Sequence, residues 1–76
     1  MQELVEYIAG TIATHPDDVK VTEEIQEDGH ILVSLEVHPD DKGKVIGRQG
    51  RMAQAMRVLL RVAATKQDAR ITLEIV

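Results

Sequence analysis

Val45-Ile46-Gly47-Arg48-Gln49-Gly50-Arg51 runs directly into Met52-Ala53-Gln54-Ala55-Met56, so two glycines bracket a basic loop in front of a segment with helical periodicity. Glycine has no Cβ, and a chain built on it turns sharply and approaches a ligand closely. The helix that begins near Gly50 adds unpaired N–H donors and a partial positive charge, so the stretch is suited to an anion, and phosphate is the obvious one. Two glycines at this spacing also serve a helix C-cap followed by a helix start, and the elements on either side decide between these uses.

Upstream, Pro39 suits the first position of a short helix over about 39–46, with Asp40 and Asp41 complementing its dipole. Downstream, Met52, Ala55, Met56, Leu59, Val62 and Ala63 form one apolar stripe, and Gln54, Arg57, Arg61 and Thr65 lie on the other face. The glycine loop therefore joins helix to helix. Lys66-Gln67-Asp68-Ala69 leads out, and Ile71, Leu73 and Ile75 alternate with Thr72 and Glu74 as a final strand.

In the first half, Leu4, Ile8 and Ile12, with Val5 and Ala9 beside them, predict an amphipathic helix over 3–14 that stops before His15-Pro16. The period then changes to two. Val19, Val21 and Ile25 oppose Lys20, Thr22, Glu24 and Gln26 in a strand over about 19–26; after the turn Glu27-Asp28-Gly29-His30, Ile31, Val33, Leu35 and Val37 alternate with Leu32, Ser34, Glu36 and His38. The order is αββααβ. Three half-apolar strands and three amphipathic helices predict an α+β two-layer sandwich, a three-stranded sheet with the helices packed on one face and the other face solvated. No internal repeat is expected.

Seventy-six residues make one small domain, residues 1–76. The absence of cysteine excludes disulfides, thiolate zinc sites and thiol nucleophiles. Without a basic n-region or a run of ~20 apolar residues, neither export nor a membrane partner is expected, and the reading is a soluble cytoplasmic protein. The net charge of −4 conceals a division: residues 1–41 hold eleven acids and one base, residues 42–76 two acids and eight bases. The glycine loop lies in the half carrying +6, where a basic stripe attracts phosphate locally. Tyr7 is the only aromatic residue, which removes the stacking platforms used by RRM and OB folds.

Other chemistry finds little support. Ser34 is the only serine, and the pairs Asp17-Asp18, Glu23-Glu24 and Asp40-Asp41 are sequence neighbours with turn, capping or opposite-face roles, so no enzyme is expected. The loop lacks the Gly-Lys-Ser/Thr of a P-loop, and Rossmann loops join strand to helix. His15, His30 and His38 fall in a loop, a turn and a strand end without metal-ligand spacing, so neither a metal nor a cofactor is expected.

The Val-Ile-Gly-Arg-Gln-Gly motif between two helices, together with the αββααβ order, resembles the KH domain in its bacterial, type II arrangement, and a free-standing domain of this length resembles the single-domain KhpA type. The resemblance covers the whole chain. It implies a Gly-x-x-Gly loop that clamps about four nucleotides of single-stranded RNA. On that pattern Gly47 and Gly50 form the loop, with the N–H groups near Gly50 and Arg51 facing a phosphate. Arg48 pairs a phosphate, and Lys44 and Arg51 add to the field. Gln49 departs from the commoner basic or glycine choice. Val45 and Ile46 match the apolar pair before the loop; Met52, Ala53 and Met56 fall at groove positions, although Met52 and Met56 suit the core better; Arg57 tracks the backbone or solvates its helix. A further implication is partnership with a larger KH protein of the Jag type. A second reading is an adaptor whose fold serves homo- or heterodimerisation, since a chain this short gains buried apolar surface by pairing.

Overall fold

The computed structural model describes residues 2–76. Its elements are α1 (Gln2–Ile12), β1 (Lys20–Ile25), β2 (Ile31–Glu36), α2 (Lys42–Ile46), α3 (Arg51–Lys66) and β3 (Ile71–Ile75), with 3-10 turns at Pro16–Asp18, Pro39–Asp41 and Arg48–Gly50. This is the expected αββααβ order. The helix expected over 39–46 divides into the Pro39–Asp41 turn and α2.

β1 and β2 form an antiparallel hairpin with Val21 opposite Leu35 and Ile25 opposite Ile31. Gly29 closes it at φ +86°, and Asp28 Oδ1 accepts the His30 N–H at 3.0 Å. β3 returns parallel to β2, Leu73 beside Val33, which requires a crossover, and α2 and α3 supply it. The strand order β1-β2-β3 leaves β3 as an edge. Val5, Ala9, Val21, Ile31, Val33, Leu35, Val37, Val45, Met56, Leu60 and Leu73 form one core between the helices and one face of the sheet.

Two apolar assignments are corrected. Ile25, expected on the buried side of β1, is 69% exposed. Gln2 at the start of α1 donates through Nε2 to Val21 O at 2.9 Å, so β1 continues past the helix and its far end has no cover. α3 is also rotated from the expected stripe: Ala53, Met56, Leu60 and Ala64 are buried, whereas Ala55, Leu59 and Val62 are exposed. Apolar side chains from Val58 to Ala64 nearly surround this helix, so period alone allows more than one rotation. The small Ala53 and Ala64 mark the side that packs against its neighbours.

The connections hold what periodicity could not show. His-Pro-Asp-Asp occurs twice, at 15–18 and 38–41, a short repeat that the sequence reading passed over. Each copy forms a 3-10 turn with histidine at its N-cap. The fold brings the copies together: the His15 and His38 rings stack with centroids 4.0 Å apart, although their positions in the sequence suggested separate surroundings. Asp41 is fully buried, and its carboxylate accepts the backbone N–H of Thr14 at 3.0 Å and of His15 at 2.9 Å. Burial pushes this carboxyl up, but the two N–H bonds and the nearby His15 and Lys44 charges outweigh it and hold it below the usual aspartate range. The residues after α1 are thereby fastened to the start of α2.

Candidate nucleic-acid interface

α2 ends because Gly47 takes φ +81°, ψ 172°, a conformation that favours glycine, while its N–H still closes the helix on Gly43 O at 2.9 Å. Space imposes a second requirement: a Cβ on Gly47 would stand 2.7 Å from Met52 Cβ and 2.8 Å from Met52 N. The chain then passes through Gln49 at φ 58° and Gly50 at φ 74° before α3 begins at Arg51. Gln49 thus occupies left-handed space without being glycine.

The loop closes upon itself. The Gly50 N–H donates to Gly47 O at 3.1 Å, and the Arg51 N–H to Arg48 O. The two amides expected to face a phosphate are therefore engaged inside the turn, and the loop presents side chains outward. Arg48 and Gln49 are exposed, and the Arg48 guanidinium makes no ion pair or hydrogen bond among the described residues. Arg51 Nη2 reaches Gln49 Oε1 at 3.5 Å. Lys44 turns away: its Nζ donates to Thr14 Oγ1 beside buried Asp41.

The apolar residues around the loop separate by depth. Val45 is buried and Ile46 is exposed. Met56 and Ala53 are core residues, and Met52 is half-buried against the core and Gly47.

Beyond the loop, a groove of about 210 Å³ runs between α3 and β3, lined by Arg57, Leu60, Arg61, Ile71, Thr72 and Leu73. One wall carries two guanidinium groups, the floor is aliphatic, and the other wall is the edge strand with backbone N–H and C=O groups outside the sheet ladder. Such a groove accommodates a flat polar ring with hydrogen-bonding edges and an adjoining anionic chain. Arg57 lies in this groove with Arg61, which fixes the side of α3 that its sequence position left open. The contribution of Ile71 and Thr72 was missed, although the βααβ order, with β3 at the sheet edge, is the signal that would have found them.

Among the described residues, no helix is long and apolar enough to cross a membrane. Residues 2–75 match the family described as KhpA/KhpB, KH domain. The chain is 54% identical to the RNA-binding protein KhpA of Halalkalibacterium halodurans, covering 100% of this chain and 99% of that protein. It is 45% identical to the protein of that name from Clostridium perfringens and 47% to that from Caldanaerobacter subterraneus, with 100% of both chains covered in each comparison.

Proposed function

The chain belongs to the KhpA/KhpB family of KH domains, and from that premise we propose that it binds short single-stranded RNA without catalysing a reaction on it. One observation carries this reading: the glycine loop leads along α3 into a groove with Arg57 and Arg61 on one wall and edge strand β3 on the other. Arg48 and Arg51 hold phosphates by charge-assisted hydrogen bonds, bases lie on the Leu60 and Ile71 floor, and β3 meets their edges. Gly47, Gln49 and Gly50 shape the loop. Val45, Ile46 and Met52 set its height, and Lys44 holds its base through Thr14. The relatives bear the name RNA-binding protein, which supports the same assignment. The cellular role is post-transcriptional regulation or RNA chaperoning in the cytoplasm.

The test replaces Arg48 and Gln49 together with Asp, placing two negative charges where a phosphate is expected. Binding of a short single-stranded RNA, followed by fluorescence anisotropy, falls at least tenfold while circular dichroism is unchanged. RNA binding that survives in the folded variant removes the proposal.

A dimerising role accompanies the first reading, and it rests on the exposed apolar Val58, Leu59 and Val62 of α3. Paired with a second copy, or with a larger KH protein of the Jag type, this face loses contact with water. Light scattering after size exclusion tests it: Leu59→Lys with Val62→Lys shifts the mass towards a monomer, and an unchanged mass removes the role.

A further inference from the structure

We propose that His15, His38 and Asp40 form a binding site for a borderline divalent metal ion of the Zn²⁺, Co²⁺ or Ni²⁺ kind, on the side of the fold where the two His-Pro-Asp-Asp turns meet. This site does not depend on the RNA reading. Two imidazoles and one carboxylate are a donor set for such ions, whereas Mg²⁺ and Ca²⁺ favour oxygen ligands alone.

The three side chains already share one patch of surface. One donor atom from each residue lies within 4.8 Å of the others. His15 Nε2 stands 3.7 Å from Asp40 Oδ2, and His38 Nδ1 stands 3.6 Å from the same oxygen. Ligands at ~2.0–2.1 Å around a tetrahedral ion are roughly 3.3 Å apart, so both pairs need to close by only a few tenths of an ångström. Lone pairs in near-parallel planes do not meet, so the two rings, now stacked at 4.0 Å, have to swing out of the stack to roughly 5 Å between centroids for both nitrogens to face one ion. Asp40 is 75% exposed and has room to follow. Three protein ligands leave a fourth position for water, and the exposed side chains leave the ion a way in.

The surroundings orient the donors. The Asp40 N–H donates to His38 Nδ1 at 3.0 Å, so the lone pair of that nitrogen points towards Asp40. The ion displaces this hydrogen bond, and the exposed amide turns to solvent. Buried Asp41 holds the backbone of His15 from behind, so one ligand is fixed before the ion arrives. The three ligands come from both sides of the contact between the residues after α1 and the start of α2, and an ion held there cross-links the fold at that contact.

The experiment uses the full chain and metal alone: calorimetric titration with ZnCl₂, visible absorption with CoCl₂, and thermal unfolding with and without Zn²⁺. The expected result is one ion per chain, a tetrahedral Co²⁺ spectrum and a higher Tm with Zn²⁺. His15→Gln and His38→Gln, each shown to be folded by circular dichroism, weaken binding at least tenfold. Asp40→Asn weakens it severalfold, and His30→Gln leaves it unchanged. The proposal is overturned by lack of binding, by half an ion per chain, by binding indifferent to His15→Gln and His38→Gln, or by loss in His30→Gln.

Discussion

Gly47 and Met52 approach so closely that a single methyl group on Gly47 would overlap Met52 Cβ at 2.7 Å and its backbone nitrogen at 2.8 Å. A flexible side-chain tip would move aside, but a Cβ and an amide nitrogen in the first turn of α3 move only with the helix. Gly50 differs, since at φ +74° a Cβ there meets nothing within 4 Å. The two glycines of one motif therefore fail in different ways. Gly47→Ala displaces α3 relative to α2 and costs about 3 kcal/mol or more, from combined dihedral strain and overlap. Gly50→Ala bears the left-handed dihedral alone, about 1–2 kcal/mol. Urea unfolding of both variants measures the difference, and equal losses would mean that contact with Met52 does not set the requirement.

Among the described residues, two other than glycine occupy left-handed space, Gln49 at φ 58° and Asp68 at φ 54°. Asp68 ends α3: its N–H donates to Thr65 O at 3.1 Å, and the Ala69 N–H reaches back to Ala64 O at 3.0 Å, a helix stop that glycine usually makes. Gln49→Gly and Asp68→Gly each relieve that strain, less the greater entropy of the unfolded chain, and raise stability by about 0.5–1 kcal/mol. Chemical unfolding gives the sign directly. Only Gln49→Gly alters the loop assigned to RNA, so only that variant is expected to change RNA affinity as well.

Period and order made most of the fold legible. The alternation Ile31, Val33, Leu35 fixed the central strand and its buried face, and the helix-to-helix placement of Gly47 and Gly50 distinguished the loop from strand-to-helix phosphate loops. The rotation of α3 was less legible because Leu59, Leu60, Val62 and Ala63 are all apolar, and contact with the sheet, not composition, selects Leu60. The positions of His15 and His38 were hidden for another reason. Their meeting depends on Asp41 binding two amides far away in sequence, and nothing in a local window records such a contact. Repetition of the tetrapeptide was the only clue.

That Asp41 contact leads to a prediction about stability. Asp41→Ala leaves the Thr14 and His15 N–H groups facing the space of a buried carboxylate with no acceptor, and the residues after α1 lose their attachment to α2. Thermal unfolding is expected to show a Tm lower by on the order of 5–10 °C. Asp41→Asn keeps one carbonyl acceptor but turns an NH₂ towards the other N–H, so it falls between the wild type and Asp41→Ala. Protection of the Thr14 and His15 amides from hydrogen exchange drops in both. An Asp41→Ala protein with the original Tm and protection would show that the bonds do not hold this connection.

The basic residues of the site divide into roles that salt separates. Each phosphate neutralised on a single strand adds roughly −0.7 to the slope of log K against log salt concentration. Arg48 projects from the loop without a protein partner among the described residues, free to pair a phosphate, and Arg48→Ala is expected to lower affinity at low salt and flatten the slope by about 0.7. Lys44 is held by Thr14, so Lys44→Ala is expected to leave the slope unchanged while weakening the connection to α1. Arg57 and Arg61 stand over an aliphatic floor opposite β3, where a guanidinium either meets a phosphate or lies against a base. Arg57→Ala and Arg61→Ala distinguish these uses: a phosphate contact flattens the slope, while a base contact lowers affinity equally at every salt concentration and changes the preference among RNA sequences. Because Arg57 is half-buried and Arg61 is exposed, Arg57→Ala is expected to give the base-contact pattern and Arg61→Ala the phosphate pattern.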